Sequence, residues 1–316
     1  MTTALRRFPF QAMGTFCEIQ FVDLSRIEAR KKIRRLLAEV DRLEKKYSRL
    51  SQDSYLSQIN ASAGSGNGID LDEETLGLID LARSRFEESD GSVDNTAGAL
   101  SRAWDFDKGR VPEQAELDRL LTTVGFEHLE VSASKLVLPE GMELHLSDLG
   151  TEYAAASVAS LSRTSDITSG LINLGGVFAV IGPLPDDSPW PVGVLYPADG
   201  KKFMARLTFM EGGLASRGDY ERPFTHQGKH YSRFLDARTG WPCDGLRAVT
   251  VTAENCIEAG AAAAIALTRT EESAISRLGE SGRPYFYLGS DEQAGGDGYQ
   301  AGTEIKGNAA QADNPA

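Results

Sequence analysis

A fold mixing helices and strands, either one large α/β unit or two domain-sized ones, is predicted by three observations. The chain is 316 residues long, more than one small domain needs. It is 41% apolar and 25% charged, the mix of a chain that buries a core rather than a disordered one. Its hydrophobic spacing also switches between a period of two and one near 3.6.

Phe16 to Val22 alternates and reads as a strand. From Ser25 to Tyr47, Ile27, Ile33, Leu36, Leu37, Val40 and Leu43 fall on one helical face, and the Arg30-Lys31-Lys32 and Arg34-Arg35 clusters on the solvated one. Ala61 to Gly68 is a loop by its Gly, Ser and Asn content. Asp72 to Glu88 reads as a second helix capped by Asp72, and Pro112 to Val124 as a third with proline in its first turn. Leu129 to Leu138 suggests a hairpin about Ala133-Ser134, and Glu143 to Leu149 a strand running into Gly150. Ala154 to Leu161 is helical, and Leu171 to Ile181 is a strand broken at Gly175-Gly176. Val192 to Tyr196 pairs with Phe203 to Met210, Ala248 to Ala253 is a strand, Glu258 to Leu267 an alanine-packed helix, and Pro284 to Leu288 a last strand. From Gly289 onward large apolar residues are almost absent, so a disordered tail is expected over 290–316 and one folded unit over 1–289.

Charge and cysteine usage exclude several classes. Lys and Arg total 33 and Asp and Glu 46, giving a net −13, which argues against bulk nucleic-acid binding but not against one small basic pocket. Cys17, Cys243 and Cys256 are widely spaced and make no zinc pattern with His128, His145, His226 and His230. His226 and His230 are four apart, but in a glycine-containing stretch rather than a helix. The cysteines read as small buried hydrophobes of a reducing compartment. No apolar run reaches 18 residues, and no signal-peptide stretch follows Arg7. A cytoplasmic protein with no membrane partner is the expectation.

Glycine beside a polar residue recurs after β-rich runs: Asp148-Leu149-Gly150, Asn173 to Gly176, Ser216-Arg217-Gly218-Asp219-Tyr220 and Asp236 to Gly240. Glycine lets backbone N–H groups approach a phosphate. One such end is usually only a turn; four, with Gly91 to Leu100 as a fifth, argue for a ligand cleft.

The ordered series is more specific than any member. Ala12-Met13-Gly14-Thr15, Tyr47-Ser48 with Ser54 and Ile59-Asn60, Gly91 to Thr96 with Trp104-Asp105-Phe106, Asp148 to Gly150, Asn173 to Gly176, Gly218 to Arg222 and Asp236 to Gly240 follow one another from about residue 8 to 288. In this the chain resembles the FAD:protein FMN transferase (ApbE) family. The resemblance implies an ApbE-like α+β fold, related to the T-fold, two-lobed with a central flavin cleft. It also implies FAD as the bound dinucleotide. The family's reaction uses magnesium to cleave the FAD pyrophosphate and attach FMN to a Thr or Ser of another protein. By the same resemblance the cofactor-binding candidates are Met13, Tyr47, Asp94, Asp148, Asn173, Gly175, Gly176, Ser216, Asp219, Asp236 and Thr239; Arg217, Gly218, Arg233 and Arg238 are added as residues beside that cleft. Asp94 and Asp236 read equally well as turn caps, and Trp104, Trp190 and Trp241 as packing rather than flavin-stacking residues.

The sequence departs from the family pattern at chemically important places. After Gly150 comes Thr151-Glu152-Tyr153-Ala154 instead of a Gly-Ile-Ala-Lys-like loop, about three residues short. The late helix, where the family has metal-binding Asp and Thr four apart, has Gly260 and Ala264. The family's histidine is Arg233 here, its proline Ala237, and its Thr-Ser-Gly is Ser216-Arg217-Gly218. Arginine cannot act as a general base, but it binds phosphate bidentately.

No metal ligands are therefore assigned, and Arg217 and Arg233 are read as neutralising the pyrophosphate, or else as surface arginines paired with nearby carboxylates. The resulting expectation is an FAD-binding member that has lost or altered FMN transfer and uses FAD for redox chemistry on a small molecule. The alternatives are a working transferase with a rebuilt magnesium site at Asp219, Asp236 or Glu258 and an acceptor protein as partner, and a non-catalytic flavin carrier or scaffold. Asp166 to Gly170 partly resembles an acceptor sequence, but Leu171-Ile172 follows, which argues against self-flavinylation.

Overall fold

A computed structural model describes residues 5–22, 24–106, 108–195, 203–218 and 223–301. Strands β1 (Leu5–Ala12) and β2 (Thr15–Val22) form a hairpin and lead into helix α1 (Arg26–Tyr47). Ser25 caps α1 through a reciprocal box with Glu28, which satisfies two otherwise orphaned N–H groups. Then come α2 (Tyr55–Ala61), β3 (Ile69–Asp70), α3 (Glu73–Glu88), α4 (Gln114–Leu121), β4 (Glu130–Ser132), β5 (Lys135–Val137) and α5 (Ser147–Arg163). The second half holds β6 (Gly170–Leu174), β7 (Val177–Gly182), β8 (Trp190–Leu195), β9 (Phe203–Phe209), β10 (Gly213–Gly218), β11 (Phe224–His226), β12 (Lys229–Tyr231) and β13 (Ala248–Ala253). Helices α6 (Cys256–Leu267) and α7 (Glu271–Glu280) precede β14 (Tyr285–Leu288), β15 (Ala294–Asp297) and β16 (Gln300–Ala301).

The centre is an antiparallel sheet in the order β1-β2-β6-β7-β10-β13-β14-β15. Alternation sorts its side chains onto two faces. Ile172 and Leu174 of β6 join Ile19 and Phe21 of β2 against α1 and α5, in a core with Ile33, Leu36, Val40, Ala155 and Val158. Leu171 and Val180 point to the other face, where Trp190, Val192 and Leu207 of β8 and β9 cover them. Val249 and Val251 of β13 pack on Ala259, Ala263 and Ala266 of α6. Alanine at those positions lets the helix lie close to the sheet.

Three expectations are corrected. The stretch 143–149 is not a strand running into glycine: Glu143 makes only an isolated bridge with Ala97, and α5 begins at Ser147. Leu144 and Leu146 mimic alternation, but Ser-Asp-Leu-Gly is the helix's first turn, where Asp148 also suits the dipole. Pro112 lies outside α4, whose N-cap is Glu113. The ordered chain also passes the boundary set at 289: β15 pairs with β14, β16 pairs with β9, and Tyr299 stacks edge-on with Phe286 at 5.0 Å. Glycine-rich strands offer little to bury, so their order comes from backbone pairing that hydrophobicity does not reveal. Residues 302–316 of the expected tail lie outside the described residues.

Candidate active site

Two tight turns meet at one end of the sheet. Met13 (φ 54°) and Gly14 (φ 71°) close the β1–β2 hairpin; Gly175 (φ 59°) and Gly176 (φ 88°) close β6–β7. Both are two-residue turns needing positive φ. A Cβ on Gly175 would overlap Thr15, so glycine there lets the turns touch. The Met13 amide donates to Glu44 Oε1 at 2.8 Å, and Asn173 Oδ1 accepts from the Gly176 amide at 3.0 Å. The Ser216 amide donates to the Gly176 carbonyl at 2.9 Å, and its hydroxyl meets Thr250 Oγ1 at 2.9 Å.

Strand alternation then sends Arg217 to the helix side, the face of Ala215. Asp148 and Glu152, one turn apart on α5, both reach it. Arg217 Nη1 lies 3.0 Å from Asp148 Oδ2, and Nη2 is hydrogen-bonded to Glu152 Oε1. Arg85 of α3 holds the other Glu152 oxygen and donates to the Ile257 carbonyl at 3.1 Å. Glu152 is fully buried, Arg85 is 4% and Arg217 9% exposed, while Asp148 faces solvent at 54%. Burial works against the charge on Arg217, and Asp148 and Glu152 outweigh it, raising its pKa further. Asp148 is opposed by its own desolvation, yet Arg217, His145 and Arg233 hold its carboxyl below the ordinary range.

The room for Glu152 comes from Gly260 of α6, where a Cβ would overlap the carboxylate. The space beside the late helix is thus filled by a glutamate already bound to two arginines. Among the described residues no three His, Cys, Asp or Glu side chains gather where they could hold a metal. Magnesium wants several hard oxygens, and these residues do not fit it. Nor do the substitutes considered from sequence: Glu258 is exposed and bonded to Asn255 at 3.0 Å, Asp236 is bound to Arg238 at 2.6 Å, and Asp219 lies outside the described residues.

Asn60 and Asn95, both members of the motif series, fix the approach to α5. Asn60 exchanges two hydrogen bonds with the backbone of Leu144 at 2.8 and 3.0 Å, and the Asn95 side chain donates to the His145 carbonyl at 2.7 Å. Burial, then the charge of Arg49, pushes the His145 imidazole down to about 4, against the pull of Asp148 and with help from Arg233. A neutral imidazole therefore stands near the Asp148–Arg217 pair.

The remaining candidates have local roles. Asp94 accepts from Thr96 N and Oγ1 at 2.7 and 2.8 Å and from Phe126 N at 3.0 Å, and burial lifts its carboxyl above the usual range against those donors. Asp236 caps its own turn, accepting from Arg238 N at 2.9 Å, while Thr239 accepts from the Trp241 amide at 3.2 Å. With Ser92, Arg238, Trp241 and Cys243 they line an open depression of about 410 Å³. A depression of about 510 Å³ between α1 and α5 contains none of the candidates. Tyr47 joins α1 to α3 through Thr75 Oγ1 at 2.9 Å. Gly218 ends β10, and Arg233 is exposed. Trp104 is packed with Phe106, Tyr231 and Trp241, and Trp190 donates to the Gly182 carbonyl at 2.9 Å. Burial pushes the thiols up to about 11 for Cys17 and about 12 for Cys243 and Cys256, so none is a ready nucleophile. No helix among the described residues is long and apolar enough to cross a membrane.

Sequence reasoning missed Glu152, Arg85 and His145. The alanine-rich helical signal begins only at Ala154, two residues after Glu152, and so hides the four-residue spacing of Glu152 from Asp148.

Known proteins carry the same architecture. FAD:protein FMN transferase from Salmonella typhimurium is 26% identical over 260 residues, 79% of this chain and 74% of that protein. The Escherichia coli K12 enzyme of the same name is 28% identical over 265 residues, again 79% and 74%. The ApbE protein of Thermotoga maritima superposes with a TM-score of 0.85 at 25% identity, covering 93% of this chain and 97% of that one. The Pseudomonas stutzeri flavinyl transferase ApbE shares the fold, with a TM-score of 0.79 at 22% identity and coverage of 95% and 94%. The Salmonella and Escherichia coli relatives are transferases, which overturns the expectation of FAD-driven redox chemistry on a small molecule. The family model "ApbE family" matches residues 13–284, and the chain belongs to the ApbE family.

Proposed function

We propose that this protein is an FAD:protein FMN transferase, taking FAD and a protein acceptor as substrates. The observation that carries the reading is the match to named transferases over 79% of the chain, together with an α+β fold that superposes on the Thermotoga protein over 93% of it. In the reaction an acceptor Thr or Ser oxygen attacks the phosphorus of the FMN half. The new P–O ester bond forms as the pyrophosphate P–O bond breaks, AMP leaves with that electron pair, and the hydroxyl proton is released. Such transfers depend on positioning and charge neutralisation.

The chain's own residues supply those roles around the paired turns. The backbone of Gly175 and Gly176, fixed by Asn173, allows close approach of the dinucleotide. Arg217 provides positive charge at the start of α5, whose N-terminal dipole also favours an anion. Magnesium supplies charge neutralisation in the family's reaction, and the residues here do not fit it. Incubation with FAD and an acceptor peptide bearing a Thr, followed by intact mass measurement, is expected to add one FMN phosphoryl group and release AMP. An unmodified acceptor with intact FAD, with and without magnesium, rejects the reading.

A further inference from the structure

We propose that Arg217 is the resident cation of this cleft and holds the FAD pyrophosphate with no divalent metal present. The proposal rests on the FAD reading above and adds the means of binding.

Three observations support it. First, the position is built. Arg217 sits between Asp148 and Glu152, and Glu152 is itself held by Arg85. A guanidinium fixed from two sides loses little freedom when a phosphate arrives. Second, the metal's usual place is occupied. Gly260 lacks the Cβ that would overlap the Glu152 carboxylate, and both Glu152 oxygens are taken by arginines. Third, Arg217 has capacity to spare. Its buried Nε has no hydrogen-bond partner, and a buried donor in that state is costly until an acceptor reaches it. The solvent-facing partner, Asp148, marks the side from which an anion reaches Nη1.

The charge count agrees. Arg85 and Glu152 cancel in the interior, as do Arg217 and the solvent-facing Asp148. A dinucleotide phosphate can therefore displace or share the Asp148 contact without leaving a buried charge unpaired.

The test is FAD binding by the full-length protein, read from quenching of flavin fluorescence in EDTA and in millimolar magnesium. The two dissociation constants are expected to agree within about threefold. Arg217→Gln is expected to weaken binding at least about tenfold in both conditions, with Arg217→Lys recovering part of the loss as a point charge. Binding that needs magnesium overturns this inference and leaves the transferase reading standing. So does unchanged affinity in Arg217→Gln. No FAD binding in either condition rejects the transferase reading and this inference with it. If the glutamine variant does not fold, Arg217→Lys is read in its place: weaker FAD binding than wild type in both conditions supports the role of Arg217, and unchanged affinity overturns it.

Discussion

Two charge networks in this molecule use the same chemistry in different solvents. On the surface between α1 and α3, Arg42 bridges Glu39 at 2.8 Å and Glu74 at 2.6 Å, while Lys46 reaches Asp72 and Glu74, both at 2.6 Å. Inside, Arg85, Glu152 and Arg217 tie α3, α5 and β10 together, with Glu152 wholly removed from water. In both networks the charged groups lie within hydrogen-bond reach of one another. Desolvation separates them. An exposed pair is worth about 0–1 kcal/mol because water competes for each partner, whereas an interior pair has already left water and leaves an uncompensated charge when broken.

The largest effect is therefore expected at Glu152. Glu152→Ala leaves buried Arg85 with the Ile257 carbonyl alone and Arg217 with Asp148 alone, and should cost about 3–5 kcal/mol in urea unfolding. Gly260→Asp should be similarly damaging, since its Cβ overlaps Glu152 and adds a second buried carboxylate. Combining them should help: the new aspartate takes the vacated space and faces Arg217. The double variant is expected to be more stable than either single one, a non-additivity of the kind seen between contacting groups. Simple addition of the two losses would show that Glu152 and position 260 do not share one space.

His145 separates the networks by pH. The unfolded imidazole gains its proton near 6.5, the folded one only near 4. Between those values the unfolded state binds more protons, so stability rises with pH. The contribution is fully present above 6.5 and is lost as pH falls toward 4. Discounted for partial exposure it is of order 1–2 kcal/mol. Melting curves from pH 4 to 7 should be steeper for the wild type than for His145→Gln. Parallel curves would remove His145 from the account. FAD should raise the imidazole pKa, because phosphate charge offsets Arg49 and Arg233; an NMR titration of the ring with and without FAD reads this directly.

Local pattern made much of the fold legible. The apolar face of α1, the Asp72 cap of α3 and the Gly175-Gly176 turn each announce themselves within a few residues. The family could be recognised from an ordered series of motifs. The ion network could not. It joins residues 85, 152 and 217, and its only local trace, the spacing of Asp148 and Glu152, required knowing that α5 starts at Ser147. The substitutions at Gly260 and Arg217 were visible separately as departures. That one makes room for the partner of the other is a three-dimensional fact. The end of the chain was obscure for the opposite reason, since β15 and β16 are ordered by backbone pairing with few apolar side chains of their own.

The smallest predicted effect is the control that gives the comparison its meaning. Glu74 is held well below the ordinary carboxylate range, at about 2, first by its hydrogen bond to Arg42 and also by Lys46, against desolvation. Its folded pKa is depressed, so its contribution is present above about 4.5 and fades as pH drops toward 2. Glu74→Ala at pH 7 is nevertheless expected to cost no more than about 1 kcal/mol, because Arg42 is 46% exposed and keeps Glu39, and Lys46, though only 15% exposed, keeps Asp72. In 1 M salt, where screening acts within about 3 Å, most of that difference should vanish. The loss in Glu152→Ala should persist, because ions do not enter the interior. A Glu74 effect that matched Glu152 in size and survived salt would mean that contact geometry, not solvent, ranks the two networks.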